Sequence, residues 1–209
     1  PVATTSNAIG FSSGPPMNVA RRDFASVTLT NGKLLVAGGF DGTNVLSSAE
    51  LYDPAANAWT PTTGAMATPR RFHVATLRSD GKVLVTGGET TGGTILASAQ
   101  VFDPATGLFT ATAAPMATAR KQHTGTLLTD NRVLIAGGEG ASGSLAAAEI
   151  YDPTANSFAA TGAMATARSG HFAWRLVDGR IGVIAGRSGA TLLASAEVFT
   201  VASGTWAVN

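Results

Sequence analysis

The three histidines of the chain are the side chains best suited to metal chemistry. Three neutral imidazoles that converge can hold a zinc ion. His73, His123 and His171 recur at a spacing of roughly fifty residues, and Phe24 stands at the same place one step earlier. Because a residue repeated in step usually belongs to the packing of the repeated unit, we expect these histidines to be structural and expect no metal. The chain has no cysteine, which excludes disulfides, Cys-based zinc sites and thiol nucleophiles.

Arginines and acidic residues recur with the same period. The arginines, called the in-step arginines below, are Arg21, Arg70, Arg120 and Arg168. The residues that would face them are Glu50, Gln100, Glu149 and Glu197. A half-buried charge needs a partner. The pattern therefore predicts structural Arg–Glu pairs within or between the repeated units and argues against a ring of arginines that binds an anion.

The positions at which the repeats differ are the better candidates for ligand contact. The candidates flank the in-step arginines and the glycine pairs, and they are Arg22, Arg71, Lys121, Phe40, Glu89, Glu139 and Arg187. They belong to short, polar, glycine-rich loops, which is where binding residues are usually found. Basic groups beside two glutamates predict contact with an acidic or sugar-like partner. Glu89 and Glu139 also allow a carboxylate pair for glycoside hydrolysis, although hydrolases usually carry longer loops.

The phrase around each in-step arginine opens a repeat. The phrases MATPRRFH (66–73), MATARKQH (116–123) and MATARSGH (164–171) are near copies, and MNVARRDF (17–24) is a degenerate one. Each is followed by an apolar strand, a turn such as Asn31-Gly32, a buried β-branched strand, a variable loop and two further short strands. Four short strands per repeat without helical periodicity predict one propeller blade each. We place the blades at about 17–65, 66–115, 116–163 and 164–209.

The repeats resemble the kelch motif. Its glycine pair is matched three times, and its two aromatic residues, seven positions apart, four times; the matches are Gly38-Gly39, Gly87-Gly88, Gly137-Gly138, Tyr52 with Trp59, Phe102 with Phe109, Tyr151 with Phe158, and Phe199 with Trp206. The last repeat departs from the motif with Ala185-Gly186. The resemblance implies an all-β propeller of four-stranded antiparallel blades, with the first strand innermost. It also implies a loop face around the channel that binds a partner, most often a protein.

The repeats are compatible with two ways of closing the ring. Residues 8–13, within a closure segment 1–16, resemble an outer strand that precedes the first blade. Either four blades close alone, helped by small inner-strand residues at Ser26, Ala75, Gly125 and Ala173, or the ring is completed by a second copy. If a second copy completes the ring, the segment 1–16 could donate a strand to that copy and so cause self-assembly.

Composition narrows the function further. Only 13% of the 209 residues are charged and the net charge is +1, so no nucleic-acid footprint is present. No apolar run is long enough for a membrane span. The low charge and the Pro1 start suggest a mature or excised fragment of an exported, bacterial-type protein, while the missing cysteine suits an exported and a cytosolic protein equally. We predict a non-enzymatic module without cofactors that recognises a protein or glycan; the alternatives are a sugar-acting hydrolase or epimerase-like enzyme and a self-assembling protein.

Overall fold

The computed structural model describes residues 14–208, which form four antiparallel four-stranded sheets, one for each predicted blade. The all-β blade architecture predicted from the repeat is therefore confirmed. The strand predicted over 8–13 lies outside the described residues. The described part contains no helix, and so none that could cross a membrane.

Each sheet follows the chain from its inner to its outer strand. Blade 1 contains β1 (Ala25–Thr28), β2 (Leu34–Ala37), β3 (Ala49–Asp53) and β4 (Ala58–Pro61). Blade 2 contains β5 (Val74–Leu77), β6 (Val83–Thr86), β7 (Ala99–Asp103) and β8 (Leu108–Ala111). Blade 3 contains β9 (Thr124–Leu127), β10 (Val133–Ala136), β13 (Ala148–Asp152) and β14 (Ser157–Ala160). Blade 4 contains β15 (Phe172–Arg175), β16 (Ile181–Ile184), β19 (Ala196–Thr200) and β20 (Thr205–Val208).

The variable loops of the last two blades form small hairpins of their own. They pair β11 (Glu139–Gly140) with β12 (Gly143–Ser144), and β17 (Arg187–Ser188) with β18 (Thr191–Leu192).

The turn between the first two strands of each blade is one residue longer than Asn-Gly or Asp-Gly suggests. Leu29 N donates to Lys33 O at 2.8 Å, and Gly32 N donates to Leu29 O at 3.0 Å. Three residues therefore lie inside the closing pair, and Gly32 takes the left-handed place with φ of 80°. This is the three-residue hairpin in which glycine follows a type I turn, and it differs from the two-residue hairpin that Asn-Gly and Asp-Gly generally favour.

Three separate hydrophobic cores fill the three junctions between blades. In the first, Leu35 and Met66 meet Val83 and Phe102, which places blade 1 against blade 2. The other two cores repeat the arrangement for blades 2 and 3 and for blades 3 and 4. We call the side of a blade that packs on the preceding blade its leading face and the opposite side its trailing face. Because both faces bury apolar residues, the central strands β6 and β10 are buried throughout, as predicted.

The four blades form an arc that stays open within residues 14–208. The inner strand β1 contacts β5, β5 contacts β9, and β9 contacts β15, but no comparable contact joins β15 to β1. Gly125 explains one close approach, since a Cβ on it would lie 2.3 Å from Thr76 Oγ1 in the neighbouring inner strand. At the open end of blade 4, Trp174 lies over Gly182, where it packs within its own sheet.

Candidate binding face

The in-step arginines hold the base of the loop face, and three of them form the predicted pairs. Arg21, Arg120 and Arg168 bind Glu50, Glu149 and Glu197 at 2.7, 2.7 and 2.8 Å, and all six side chains are almost fully buried. The predicted Arg–Glu pairing is therefore confirmed for blades 1, 3 and 4.

Each acidic partner also ties down the chain that enters its blade. Glu149 accepts hydrogen bonds from Ala117 N at 2.7 Å and Thr118 N at 3.2 Å. Burial alone would raise the pKa of Glu50, but hydrogen bonds from Asn18 and Arg21 outweigh it and hold that pKa below its usual value.

Blade 2 departs from the pairing, because Gln100 stands where the other blades have glutamate. Arg70 donates instead to Gly87 O at 2.8 Å, Ser98 O at 3.0 Å and Ser98 Oγ at 3.0 Å. Burial lowers the pKa of Arg70 to about 10, and no carboxylate within residues 14–208 forms an ion pair with it. The predicted pairing is therefore wrong for this blade.

The histidines sit inside the blade junctions. The ring of each one packs against the glycine pair of the preceding blade: a Cβ on Gly38 would lie 2.6 Å from His73 Cε1 and 2.4 Å from Arg70 O. His123 Nε2 shares a 2.8 Å hydrogen bond with Thr86 Oγ1, and His171 Nε2 shares one of 3.0 Å with Thr124 Oγ1. Glycine is needed here because both the ring and the arginine carbonyl occupy the space of a side chain.

Burial is the main cause of a lowered pKa at these histidines. It lowers the pKa of His73 to about 3 and that of His171 to about 4, with a smaller contribution from the adjacent arginines. The three rings therefore stay neutral near pH 7. Within residues 14–208, no three histidine, aspartate or glutamate side chains come together in a way that suits a metal ion.

The seven predicted ligand-binding residues do come together in one line. Backbone bridges join Arg22 to Phe40, Arg71 to Glu89, and Lys121 to Glu139, and Arg187 is bridged to Ser169. We call this line the charge ladder; its members are Arg22, Phe40, Arg71, Glu89, Lys121, Glu139 and Arg187. It runs across the loop side of all four blades.

Most members of the charge ladder contact a neighbour from the next blade. The Arg71 guanidinium lies 5.2 Å from the centre of the Phe40 ring and 2.7 Å from Glu89. Lys121 Nζ lies 2.6 Å from Glu89 and 3.5 Å from Glu139. Arg187 reaches Glu139 at 2.7 Å. The charges that the sequence suggested for a partner are therefore largely paired with one another.

The ends of the charge ladder are the most accessible to a partner. The Arg22 side chain is 66% exposed and lies 4.9 Å from the Phe40 ring centre, and its one ion pair within residues 14–208 is with the adjacent Asp23. The Arg187 side chain is 46% exposed. A shallow cleft of about 260 Å³ lies beside Phe40 and Arg22.

The paired glutamates are poorly suited to glycoside hydrolysis. Burial would raise the pKa of Glu89, but hydrogen bonds from Lys121 and Arg71 outweigh it and hold that pKa below its usual value. A general acid for this reaction needs a raised pKa. Glu89 is also buried, so the geometry supports a structural carboxylate more than a catalytic one.

Sequence reasoning missed a second row of residues beside the ladder. We call Asp23, Phe72, Gln122 and Gly170 the axial residues; each follows a ladder cation or Ser169 and has φ between 52° and 60°. Phe72 N donates to Asp23 O, Gln122 N to Phe72 O, and Gly170 N to Gln122 O, each at 2.9 Å. The signal was the glycine in the fourth repeat, since a left-handed backbone favours glycine.

Comparison with known proteins identifies the repeat. The model of the Kelch motif matches residues 21–64. Those residues hold blade 1 with its in-step arginine, glycine pair and aromatic pair, and the other blades repeat that geometry. The chain is a kelch-repeat protein.

The curated relatives of this kelch-repeat chain are much longer than it is. It is 46% identical over 50 residues to Kelch repeat-containing protein kel-10 of Caenorhabditis elegans, which is 24% of this chain and 8% of that protein. It is 43% identical over 54 residues to Kelch repeat and BTB domain-containing protein F47D12.7 of the same organism, covering 26% of this chain and 9% of that protein. The matched part thus spans less than a tenth of either relative.

Proposed function

We propose that this kelch-repeat chain is a non-enzymatic module that binds a protein partner through the face formed by the charge ladder and the axial residues. Kelch repeats are generally protein-interaction modules. The observation that carries the proposal is the convergence of the seven variable residues beside the in-step arginines and glycine pairs on one side of four blades. Variable side chains on a fixed scaffold are typical of binding surfaces.

The surface has the composition of a protein interface. Arginine and aromatic side chains are enriched at interfaces, and here Arg71 lies against both Phe40 and Phe72. Lys121 and Glu89 pair beneath them, which leaves the aromatic edges and the ends of the ladder to meet the partner. The clefts on this face are shallow and suit a peptide segment or a folded surface.

The test compares two faces of the same chain. One variant combines Arg22→Ala, Phe40→Ala and Arg187→Ala on the ladder; its matched control combines Lys82→Ala, Arg132→Ala and Arg180→Ala at the turns on the opposite side of the blades. Immobilised wild type and both variants are used to capture proteins from the producing cell, and each captured protein is then purified and its dissociation constant measured.

A partner that keeps its affinity for the control and loses at least about tenfold for the ladder variant supports the proposal. Equal affinity for both variants contradicts it. Turnover of a glycoside by the wild type would instead favour the sugar-acting enzyme, and binding on a glycan array that the ladder variant loses would make the ligand a glycan. Export of the protein stays a prediction, which fractionation of the producing cell would test.

A further inference from the structure

The leading face of blade 1 is built like a junction but has no blade packed on it within residues 14–208. Met66, Met116 and Met164 are buried because each packs on the blade before it, whereas Met17 is only half-buried. Phe24 takes the place of the junction histidines and is 37% exposed, while the histidines are at most 7% exposed. This face therefore offers apolar side chains in the arrangement that a preceding blade would cover.

Two backbone hydrogen bonds define every internal junction. In the first junction, Gly39 N donates to Arg70 O and Phe72 N donates to Asp23 O, both at 2.9 Å. The other two junctions repeat both bonds. Among the described residues, the equivalent groups Arg21 O and Asp23 N on blade 1 make neither bond. They form a ready-made backbone edge for a further blade.

Side-chain contacts across the first two junctions follow one pattern, which we call the charge rule. The cation that follows an in-step arginine contacts the residue after the glycine pair of the preceding blade: Lys121 binds Glu89 at 2.6 Å, and Arg71 lies over Phe40 at 5.2 Å. Arg22 is the same cation of blade 1, and its side chain is largely exposed. A carboxylate or an aromatic ring on a preceding blade would complete the rule.

The trailing face of blade 4 does not fit this edge. A Cβ on Gly137 would lie 2.5 Å from Arg168 O and 2.8 Å from His171 Cε1. Ala185 carries such a methyl group at the equivalent place, so an incoming blade 1 would clash there.

Three further residues of blade 4 oppose the same contact. Arg187 would face Arg22 with like charge, which disfavours the wrong partner. Trp174 and Phe172, stacked with ring centres 6.0 Å apart, occupy the trailing side over Gly182, where the other blades present a buried leucine.

We propose that the leading face of blade 1 docks a separate kelch-type blade whose trailing face carries Gly-Gly followed by a carboxylate, and that it rejects the trailing face of blade 4. Phe24 would pack on the glycine pair of that partner blade, Arg22 would pair with its carboxylate, and Arg21 O and Asp23 N would complete the two backbone bonds. This docking face shares Arg22 and Asp23 with the charge-ladder face, whereas Phe24 and Arg21 O lie outside it. The two proposals are tested with different probes, a defined kelch-type donor chain here and a captured cellular protein above, so that one can fail without the other.

Blade 3 supplies a partner face of the required chemistry, since its trailing face carries Gly137 and Gly138 followed by Glu139. The donor is a chain in which 164–209 is replaced by a second copy of 116–163, with Arg22→Glu added to block its own leading face. The acceptor is the natural chain. Sedimentation velocity is measured on each protein alone and on an equimolar mixture, and circular dichroism with thermal melting checks that the donor folds.

The expected result is a one-to-one complex in the mixture, with both proteins monomeric alone. Arg22→Glu in the acceptor should weaken the complex at least about tenfold, because it places like charges opposite each other. A folded donor that leaves the acceptor monomeric overturns the proposal, as does equal binding by the Arg22→Glu acceptor.

A second donor covers failure of the blade exchange to fold. It keeps blade 4 and Arg22→Glu and adds Trp174→Thr, Gly182→Leu, Ala185→Gly and Arg187→Glu, and it should bind the acceptor in the same way. The natural chain alone gives an independent check, since concentration-dependent dimers that Arg22→Glu abolishes would show that blade 4 is accepted and would contradict the selectivity.

Discussion

Blades 2 and 3 have the same fold, but their buried arginines have different hydrogen-bond partners. In blade 3, Arg120 binds Glu149 at 2.7 Å, and Glu149 also accepts two backbone N–H groups. In blade 2, Gln100 accepts a hydrogen bond from Ala67 N at 3.1 Å, and Arg70 has no carboxylate partner among the residues that the structure describes. Carbonyl oxygens and a serine hydroxyl are therefore enough to hold the guanidinium in place, while the carboxylate adds charge balance and fixes the entering chain.

Removal of the cation in blade 3 should have the largest effect. Arg120→Met leaves Glu149 buried without its counter-ion, so we expect a loss of about 3–5 kcal/mol in the free energy of unfolding. Arg70→Met in blade 2 leaves no buried carboxylate behind and should cost less. Urea denaturation followed by tryptophan fluorescence measures both, and an equal loss would show that the carboxylate is not what distinguishes the blades.

Acid should destabilise the blade junctions through their histidines. The folded pKa values of His73 and His171, about 3 and about 4, lie below the ordinary 6.5, so the unfolded chain binds more protons. Their stabilising contribution is complete above pH 6.5 and is lost as the pH falls towards 4, by at most about 1.4 kcal/mol per pH unit for each histidine.

The corresponding measurement is the free energy of unfolding at several pH values between 7 and 4, for the wild type and His73→Gln. The variant has one titrating group fewer, so its stability should fall less steeply with acid. Parallel curves would mean that His73 is not the source of the slope.

Exchange of the acidic partner should make each blade resemble the other. Gln100→Glu gives Arg70 a carboxylate and should raise the free energy of unfolding by about 1 kcal/mol, while Glu149→Gln should lower it by about 1–3 kcal/mol. The same denaturation experiment measures both variants. If Gln100→Glu destabilises the chain, the desolvation of the new carboxylate exceeds the gain from the pair.

The smallest effect is expected at the surface. Lys82 and Asp103 of blade 2 pair at 2.8 Å but remain partly exposed, so Lys82→Ala should cost less than about 1 kcal/mol. A loss as large as that of Arg120→Met would mean that burial is not what separates the two kinds of pair.

The sequence was most informative where a residue recurs. The blades, their order, the buried central strands and three of the four Arg–Glu pairs follow from repetition, because an identical phrase must occupy an identical environment. The alignment of Arg22, Phe40, Arg71 and the other ladder residues along one face follows from the same reasoning.

What the sequence could not predict lies in the spaces between blades. The ion pair between Lys121 and Glu89 depends on the distance between two blades, and no spacing along the chain encodes that distance. The axial residues were missed because Asp23, Phe72 and Gln122 share a backbone conformation and no side-chain type.

The hydrogen bonds that link the axial residues do not depend on the identity of their side chains. Each is made by main-chain atoms, from Phe72 N to Asp23 O and onward through Gln122 to Gly170. Any residue that tolerates the left-handed conformation preserves them, as acid, aromatic, amide and glycine already do. The side chains at these positions can therefore be exchanged at little thermodynamic cost, so that specificity evolves, or is redesigned, while the scaffold beneath keeps its register.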